Sequence, residues 1–496
     1  MNTVNVATVR PSLAEMCDVW DLIDNLAGGT PAMRRQGVRY LPKWLLEDAK
    51  DHEARLKVAT LFPAYTETVK AYVARLFSKP LIVNKDVPEW IVKEVMEDVN
   101  MENLNFQVFA RTWFSAAIGH GMAGVLVDAP SFEGEISVED AKSKGIRPYY
   151  RLISARQLLG WKSNSRGDLT QLRFWEMEEA EDGPYNVKLI KVIRVYNQLE
   201  GSVSVETHVK VENPRSTAEE WALRDSRAIA VKQIPFVNYY TARKGLMECE
   251  PPLRELAYLN QKHWSQQSST DSLLQTAQVP ILAIYGGQTD DTILIGSKHA
   301  VKLPHDAKMQ FVEHTGAAIN TGRVSLDSLK EEMRQAGAKL LPVNNMQAKN
   351  TLQAGEEANK ESSPLAAMIQ DFTDAMRQLI YITKLFRKGG NDEGGTVTVQ
   401  ANMDAGVDPV GSMAQLIEMH KNGAITTTTL IKEGQRRGLL SNEIASEDEA
   451  LAVLKESTAK MELATKFEVE KSKAAAEAKP EPAAPGKPAK RPPSSK

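Results

Sequence analysis

The amino-acid sequence predicts an α+β protein that is mainly helical and that is not organised as one compact enzyme domain. Three stretches of different texture lead to this prediction: helical spacing before residue 120, alternating β-branched and aromatic residues up to about residue 240, and long helical segments after residue 250. Hydrophobic residues make up 42% of the 496 residues and charged residues 25%, which excludes a wholly disordered chain. A chain of this length is expected to form roughly three domains.

The N-terminal part of the chain is predicted to be helical. Apolar side chains share one helical face in residues 63–80, and similar segments follow at 88–99 and 104–118. Over residues 124–240, short runs of valine, isoleucine and aromatic residues alternate with turn signals, which is typical of an antiparallel meander. Residues 1–249 are therefore predicted to form one region, in which the helices pack against an antiparallel β layer.

A long helix is predicted over residues 250–278. Its middle, QKHWSQQSSTDS at 261–272, is polar on every side, so it does not have the apolar stripe of an ordinary core helix. Such a helix is hard to place in a monomer, whereas the neighbouring subunits of a ring would cover its flanks. His263 lies in this stretch and is expected at a surface or an interface rather than in a catalytic site.

The next segments are predicted from their periodicity and their prolines. Short strands and loops are expected from residue 279 to about His314, and a helix over 326–341 with an apolar seam at spacings of three and four. A polar loop follows at 342–353. Another helix is predicted over 354–388, with a kink at Pro364, which lies inside it. The seam of the helix at 326–341 consists of Leu326, Leu329, Met333, Ala336 and Leu340.

The C-terminal part of the chain changes composition twice. The glycine-rich stretch 387–395 predicts a linker, and 396–470 is predicted to be a further, largely helical region. Residues 471–496 contain seven basic residues, two acidic residues and six prolines, and they are predicted to be a disordered basic tail. The tail therefore has a net charge of 7 − 2 = +5. Since the net charge of the whole chain is −3, the rest of the chain has a net charge of −3 − 5 = −8, which is unlike a basic nucleic-acid clamp.

Sequence patterns for catalysis are weak throughout. GHGMAG at 119–124 matches GxGxxG, but it follows a helix and opens a strand, the reverse of a dinucleotide site, so it is interpreted as a turn. No P-loop, GxSxG elbow or metal-type histidine spacing occurs in the sequence. The acidic pairs Asp290–Asp291 and Asp404–Asp408 lie beside turn residues and are interpreted as solvated loop residues. No enzymatic activity, cofactor or metal is predicted.

The cysteine content, the N-terminus and the apolar stretches indicate the cellular compartment. Cys17 and Cys249 are too few for a disulfide framework, and the N-terminus lacks the basic start and apolar run of a signal peptide. No uncharged apolar stretch reaches the roughly 18 residues that a membrane span requires. We therefore expect synthesis in a reducing cytoplasm and no membrane partner.

The succession of segments resembles the portal proteins of tailed bacteriophages, the head-to-tail connectors. The similarity runs from about Tyr40 to Leu440, and it is carried by the order of the segments rather than by one specific motif. RYLPKWLLEDAKDHEARLKVATLFPAYTETVKAYVARLFSKP resembles the helical opening of a portal wing, and VLVDAP with YYRLISARQLLGWK resembles the wing's β layer. FVNYYTARKGLMECEPPLRELAYLNQKHWSQQSSTDSLLQTAQVPILAIYG resembles the entry to the stem and the clip.

This resemblance implies a role for each segment. Residues 1–249 would be the wing, 250–278 and 326–341 the two stem helices, 279–325 the clip, 354–388 the kinked wing-to-crown helix and 396–470 the crown. Residues 342–353 would be a tunnel loop that faces DNA. Its polar side chains are Asn344, Asn345, Gln347, Lys349, Asn350 and Gln353.

The resemblance also implies a function and partners. Portal proteins form a ring, roughly twelve-fold, at one capsid vertex. A separate terminase large subunit drives viral double-stranded DNA through that ring, which later retains the genome, joins the tail through a head–tail adaptor and serves in ejection. The major capsid and scaffold proteins would be further partners, first in the host cytoplasm and then in the virion. Two alternatives remain open: another head-completion or capsid protein, and a metal-dependent DNA-processing enzyme using Asp290 or Asp404.

Overall fold

The computed structural model divides the chain into two units, residues 1–403 and 404–496. Helices and sheets occur together in the first unit, which confirms the predicted α+β class. The residues that the structure describes are 5–130, 140, 145–211, 220–278, 281–285, 308–312, 317–339, 364–387, 395–399, 416–436, 452 and 455.

At 88–99, where the sequence predicts a helix, the structure has only a six-residue π-helical turn, but the other N-terminal helices form as predicted. They are α1 (Pro11–Ala27), α2 (Gly29–Arg35), α3 (Ala49–Val58), α4 (Ala64–Leu76) and α5 (Phe106–His120), with a π-helical turn at Ile91–Met96. Pro63 is the residue before α4, and the Asn105 side chain caps α5 by accepting a hydrogen bond from the Val108 N–H at 3.0 Å.

The glycine-rich motif at 119–124 is a turn, as interpreted from the sequence. α5 ends at His120, and the next strand begins at Met122. Gly121 between them has φ +90°, a conformation that favours glycine. A Cβ at this position would lie 2.8 Å from the Glu250 carbonyl oxygen, so the turn is also held close to the chain that enters the next long helix.

The strands of the described part fall into small antiparallel sheets. They are β1 (Ile82–Val83), β2 (Met122–Asp128), β3 (Tyr149–Ser154), β4 (Leu158–Ser163), β5 (Leu169–Glu181), β6 (Val187–Leu199), β7 (Ser202–Val211), β8 (Glu220–Ile229), β9 (Phe236–Tyr240), β10 (Arg243–Gly245), β11 (Glu248–Cys249), β12 (Ile281–Tyr285), β13 (Lys308–Val312) and β14 (Val397–Thr398). β4 to β8 form a five-stranded meander in chain order, which confirms the predicted meander. β2 instead pairs with β3 and β9, because every residue of β2 is buried and such a strand needs a neighbour on each side.

An aromatic cluster forms the centre of the first unit. Trp113 and Phe114 come from α5, Tyr239 from β9 and Phe372 from a helix late in the chain. The Phe372 ring centroid lies 4.9 Å from that of Tyr239, 5.2 Å from that of Trp113 and 5.5 Å from that of Phe114. These distances are typical of favourable aromatic pairs. The cluster therefore fixes the late helix onto the sheet and helices of the N-terminal region.

Three long helices follow the sheets: α6 (Arg254–Ala277), α7 (Ala317–Ala338) and α8 (Pro364–Lys384). The antiparallel hairpin β12–β13 lies in the chain between α6 and α7. The predicted start of α7 at residue 326 is wrong, because the helix begins nine residues earlier. Gly322, in this earlier part of α7, is where the helix makes a close contact described below.

Several predictions concern residues outside the described part of the chain. These are the loop at 342–353, the seam residue Leu340, both acidic pairs and the basic tail. Pro364 opens α8, a position that favours proline, and the residues before it, where the kink was predicted, are not described. Val397 of the predicted 396–470 region pairs with Val83 in the first unit. In the second unit the structure describes helix α9 (Thr427–Arg436).

Candidate functional site: the paired helices α6 and α7

α6 and α7 pack side by side and run in opposite directions. Near one end of the pair, a Cβ on Gly322 would lie 3.2 Å from the Thr270 hydroxyl oxygen. The Gln266 amide donates a hydrogen bond to the Ser325 hydroxyl at 2.5 Å, and near the other end Gly337 faces Leu256. Along the pair, the residue numbers of the contacts fall on α6 while they rise on α7, so the two helices are antiparallel.

The predicted seam lies on the buried side of α7. Leu326, Leu329, Met333 and Ala336 are all buried, and the last two belong to the same apolar core as Leu256, Ala257 and Trp264 of α6. Val324, on another side of α7, is 70% exposed. The spacing of three and four therefore gives α7 one apolar stripe and one solvent-exposed side.

The polar middle of α6 is covered by its own chain, contrary to the sequence-based expectation. No described residue between Lys262 and Leu273 is fully exposed, and His263 is only 2% exposed. The expectation that His263 lies at a surface or an interface is therefore wrong. Polar spacing failed as a guide because serine and threonine hydroxyls in a helix can bond to the carbonyl four residues earlier, which lets them be buried.

Three such hydrogen bonds occur in succession along α6. The hydroxyl of Ser269 donates to the carbonyl of Ser265 at 3.1 Å, that of Thr270 to Gln266 at 3.0 Å, and that of Ser272 to Ser268 at 3.0 Å. Each bond satisfies a polar group within the helix. The side chains are also short, so α7 can approach closely at Gly322.

Two hydrogen-bond sets fix the other end of the pair to the N-terminal helices. The Asn260 side chain accepts from the Tyr65 N–H at 3.0 Å and donates to the Phe62 carbonyl at 2.9 Å. The Tyr72 hydroxyl donates to the Gly337 carbonyl. Since Tyr65 and Tyr72 are both on α4, that helix holds the end of the pair that lies away from the hairpin.

Several buried polar atoms of α6 have no hydrogen-bond partner in the described part of the chain. They are both ring nitrogens of His263, the Trp264 indole nitrogen and the Ser268 hydroxyl. The His263 ring lies 5.3 Å from the Phe62 ring, centroid to centroid. Burial lowers the pKa of His263, and the positive charge of Lys330 on α7 lowers it further. His263 is therefore held as a neutral, buried ring, which is an energetically costly arrangement.

The seam follows from the sequence, but the residues that close and anchor the helix pair were not predicted from it. Gly322 and Gly337 are fifteen residues apart, which is close to four helical turns and so places them near one face. Serines and threonines four residues apart, with a glycine-containing helix to follow, were the signal for close packing. Asn260 gave no sequence signal, because its partners Phe62 and Tyr65 are almost 200 residues away in the chain.

Other kinds of site can be assessed for the described residues only. Among them, no cluster of three or more histidine, cysteine or acidic side chains could hold a metal ion. No helix in that part of the chain has the length and apolar character needed to cross a membrane. Cys17 and Cys249 are both free thiols.

The chain matches one protein family and several solved structures. A family described as "Domain of unknown function (DUF4055)" matches residues 252–386, which include α6, α7 and α8. No curated protein matches the sequence.

The solved structures that resemble the chain include components of gene transfer agent (GTA) particles, each at 10% sequence identity. In the neck of the native particle, computed with C12 symmetry, the match covers 77% of this chain and 88% of the other, with a TM-score of 0.39. In the neck of the empty particle, computed with C6 symmetry, the values are 79%, 95% and 0.42. In the virion of the native particle they are 81%, 98% and 0.40.

Proposed function

We propose that this chain is a structural protein of a phage-like virion and, more specifically, the portal subunit at one capsid vertex. In this role a ring of copies surrounds a channel for double-stranded DNA. A separate terminase motor drives the genome through the channel during packaging. The ring then retains the DNA, joins the tail through an adaptor protein and opens the route for ejection.

The observation that carries the proposal is the path of the chain through α6, α7 and α8. The chain leaves the helical and β-sheet core along α6, forms the hairpin β12–β13, and returns along α7. α8 then places Phe372 in the aromatic cluster of that core. A helix pair that extends from a core and ends in a hairpin suits a stem and clip, with α4 holding the base of the stem.

Ring formation is supported by the exposed side of the α6–α7 pair rather than by the polar middle of α6. Because α6 is already covered within one chain, the ring does not need to shield it. A helix pair fixed at one end presents its outer side, including Val324 and Leu273, to a neighbouring copy. Copies related by rotation would form contacts between different surfaces, and such contacts close into a ring.

The DNA channel is assigned to the loop at 342–353, between α7 and α8. Its amides, from Asn344, Asn345, Gln347, Asn350 and Gln353, can bond to phosphate oxygens without adding charge. Lys349 adds one cation for each copy. Such contacts are independent of sequence and easily exchanged, which suits DNA that moves in both directions.

Replacing residues 344–350 by a Gly–Ser linker of equal length tests this channel assignment. The variant should still assemble, because the replaced residues lie between helices that pack without them. Packaging and retention of full-length genome, measured as protected DNA per particle, should fall. Lys349→Gln alone is the milder control and should reduce retention less. If the Gly–Ser variant packages and retains DNA as well as the original chain, the loop does not contact the DNA.

A further inference from the structure

A short loop between the 3₁₀ turn at Gly37–Arg39 and α3 carries the most conspicuous exposed apolar side chains of the N-terminal region. Leu45 is 98% exposed and its neighbour Leu46 is 94% exposed. Trp44, beside them, is about half exposed. A single exposed leucine is ordinary, but two adjacent leucines next to a tryptophan form a patch of the kind found at interaction sites. We call residues 42–47 the knuckle.

The knuckle is held in one shape by a buried ion pair. The Arg55 guanidinium on α3 donates to both carboxylate oxygens of Glu47, at 2.6 Å from Nε and 2.7 Å from Nη2, and also to the Pro42 carbonyl at 2.8 Å. Both charged side chains are almost fully buried, and the guanidinium lies 4.3 Å from the centre of the Trp44 ring. The Arg55 hydrogen bonds lower the pKa of Glu47.

The ion pair fixes the loop in a conformation that keeps both leucine side chains exposed to solvent. A buried, bidentate pair bridges the two ends of the knuckle, so Leu45 and Leu46 lie on the outside of a closed loop. A loop already fixed in its bound shape loses little conformational entropy when it binds a partner. The geometry therefore favours a binding element.

A cleft of about 810 Å³ in the same unit has the complementary character. Its partly exposed apolar lining includes Leu169, Leu246 and Tyr381, and Asp371 and Asp374 of α8 also line it. Both aspartates are exposed, and neither forms an ion pair in the described part of the chain. Partial burial of the Asp371 carboxyl and the negative charge of Asp374 raise the pKa of Asp371. The cleft also contains Lys232 and Arg243, and the Arg243 guanidinium lies over the Tyr240 ring.

We infer that the knuckle of one copy inserts into this cleft on the next copy of the same chain. Leu45 and Leu46 would cover the apolar lining, and Lys43 would face Asp371 and Asp374. Lys43 is exposed and forms no ion pair with any other described residue, so it is available for this contact. The knuckle and the cleft share no residue, so the contact joins two different surfaces. Repeated by rotation, it closes a ring. The inference rests on the ring of the proposed function and identifies one contact that would hold it together.

The test measures assembly of the full chain by mass photometry over a range of concentrations. Leu45→Ser with Leu46→Ser should leave the monomer's thermal unfolding unchanged, because both side chains are in water. It should weaken association by at least about 10-fold for each leucine. Tyr185→Ser is the matched control: Tyr185 is fully exposed in the turn between β5 and β6 and should change nothing.

A charge exchange tests whether the cleft is the partner of the knuckle. Lys43→Glu and Asp374→Lys should each weaken assembly, and the two combined in one chain should restore most of it. Loss of assembly in the leucine variant without restoration by the charge exchange would overturn the assignment of the cleft. Unchanged assembly in the leucine variant would overturn the knuckle contact and leave the ring itself standing. A wild-type chain that stays monomeric at every concentration would contradict the ring and this contact together.

Discussion

The aromatic cluster of the first unit and the contact between α6 and α7 are both buried, but they are built from different side chains. In the cluster, Phe372 contacts Trp113, Phe114 and Tyr239, and the Tyr239 hydroxyl donates to the Met368 carbonyl at 2.9 Å. In the helix pair, serine and threonine hydroxyls bond within α6. The ring nitrogens of His263 there have no partner in the described part of the chain.

This difference in side chains indicates which region contributes more to the free energy of unfolding. Large apolar rings gain free energy from burial and from their mutual contacts. Short polar side chains let two helices approach closely, but each unpaired buried atom opposes folding. We therefore expect the cluster to set the free energy of unfolding and the helix pair to open at lower cost.

The largest expected effect comes from removing the ring that joins α8 to the cluster. Phe372→Ala should reduce the free energy of unfolding by roughly 3 to 5 kcal/mol, because it deletes a buried aromatic ring and leaves a cavity. Denaturant titration of the full chain, followed by tryptophan fluorescence, measures this loss. Gln378→Ala on the exposed side of the same helix is the control and should stay within about 0.5 kcal/mol of the original. Equal losses in the two variants would show that α8 is not fixed by the cluster.

A smaller loss is expected from the seam of the helix pair. Leu329→Ala should cost about 2 to 3 kcal/mol, at the lower end for buried leucines, because α6 and α7 can move together to fill the space. Val324→Ala, on the exposed side of α7, should cost little. The same titration compares them with Phe372→Ala. If Leu329→Ala proved as costly as Phe372→Ala, the proposed ranking of the two regions would be wrong.

The smallest expected effect concerns His263, and it is a gain in the free energy of unfolding rather than a loss. His263→Phe should stabilise the chain by about 1 kcal/mol, because it replaces two unpaired nitrogens with apolar atoms of similar shape. Since burial lowers the folded-state pKa of His263, the unfolded chain binds the proton more tightly. The original chain should therefore lose stability as the pH falls below about 6.5, down to the folded-state pKa.

Two substitutions separate the causes of this effect. His263→Phe should remove both the unpaired polar atoms and the pH dependence, whereas His263→Gln should remove only the pH dependence. Thermal unfolding at pH 7.5 and pH 5.5 measures both. A loss between these pH values that is the same in His263→Gln as in the original chain would place the responsible group elsewhere.

Local periodicity predicted much of the fold, because it reports which face of a helix or strand is buried. It placed α4 between its prolines, the meander of β4 to β8 and the buried stripe of α7. It could not predict that β2 pairs with β9, since that register depends on residues more than 100 positions apart. It also misjudged α6, because hydropathy does not register hydroxyls that bond to their own helix.

The candidate site was predictable only in part, for related reasons. The seam residues Leu326, Leu329, Met333 and Ala336 follow from spacing. Asn260 and the knuckle do not, since their roles depend on contacts made by folding. KWLLE at 43–47 reads as a short apolar run, and only the burial of Arg55 and Glu47 shows that its leucines face outward.

The central claim is that copies of this chain assemble into a ring with a channel, and electron microscopy of the purified full chain tests it most directly. We expect closed rings with a central hole and about twelve copies, near 660 kDa from twelve times the 54.9 kDa chain. Particles that remain single chains of 54.9 kDa at high concentration and across several salt concentrations would contradict it.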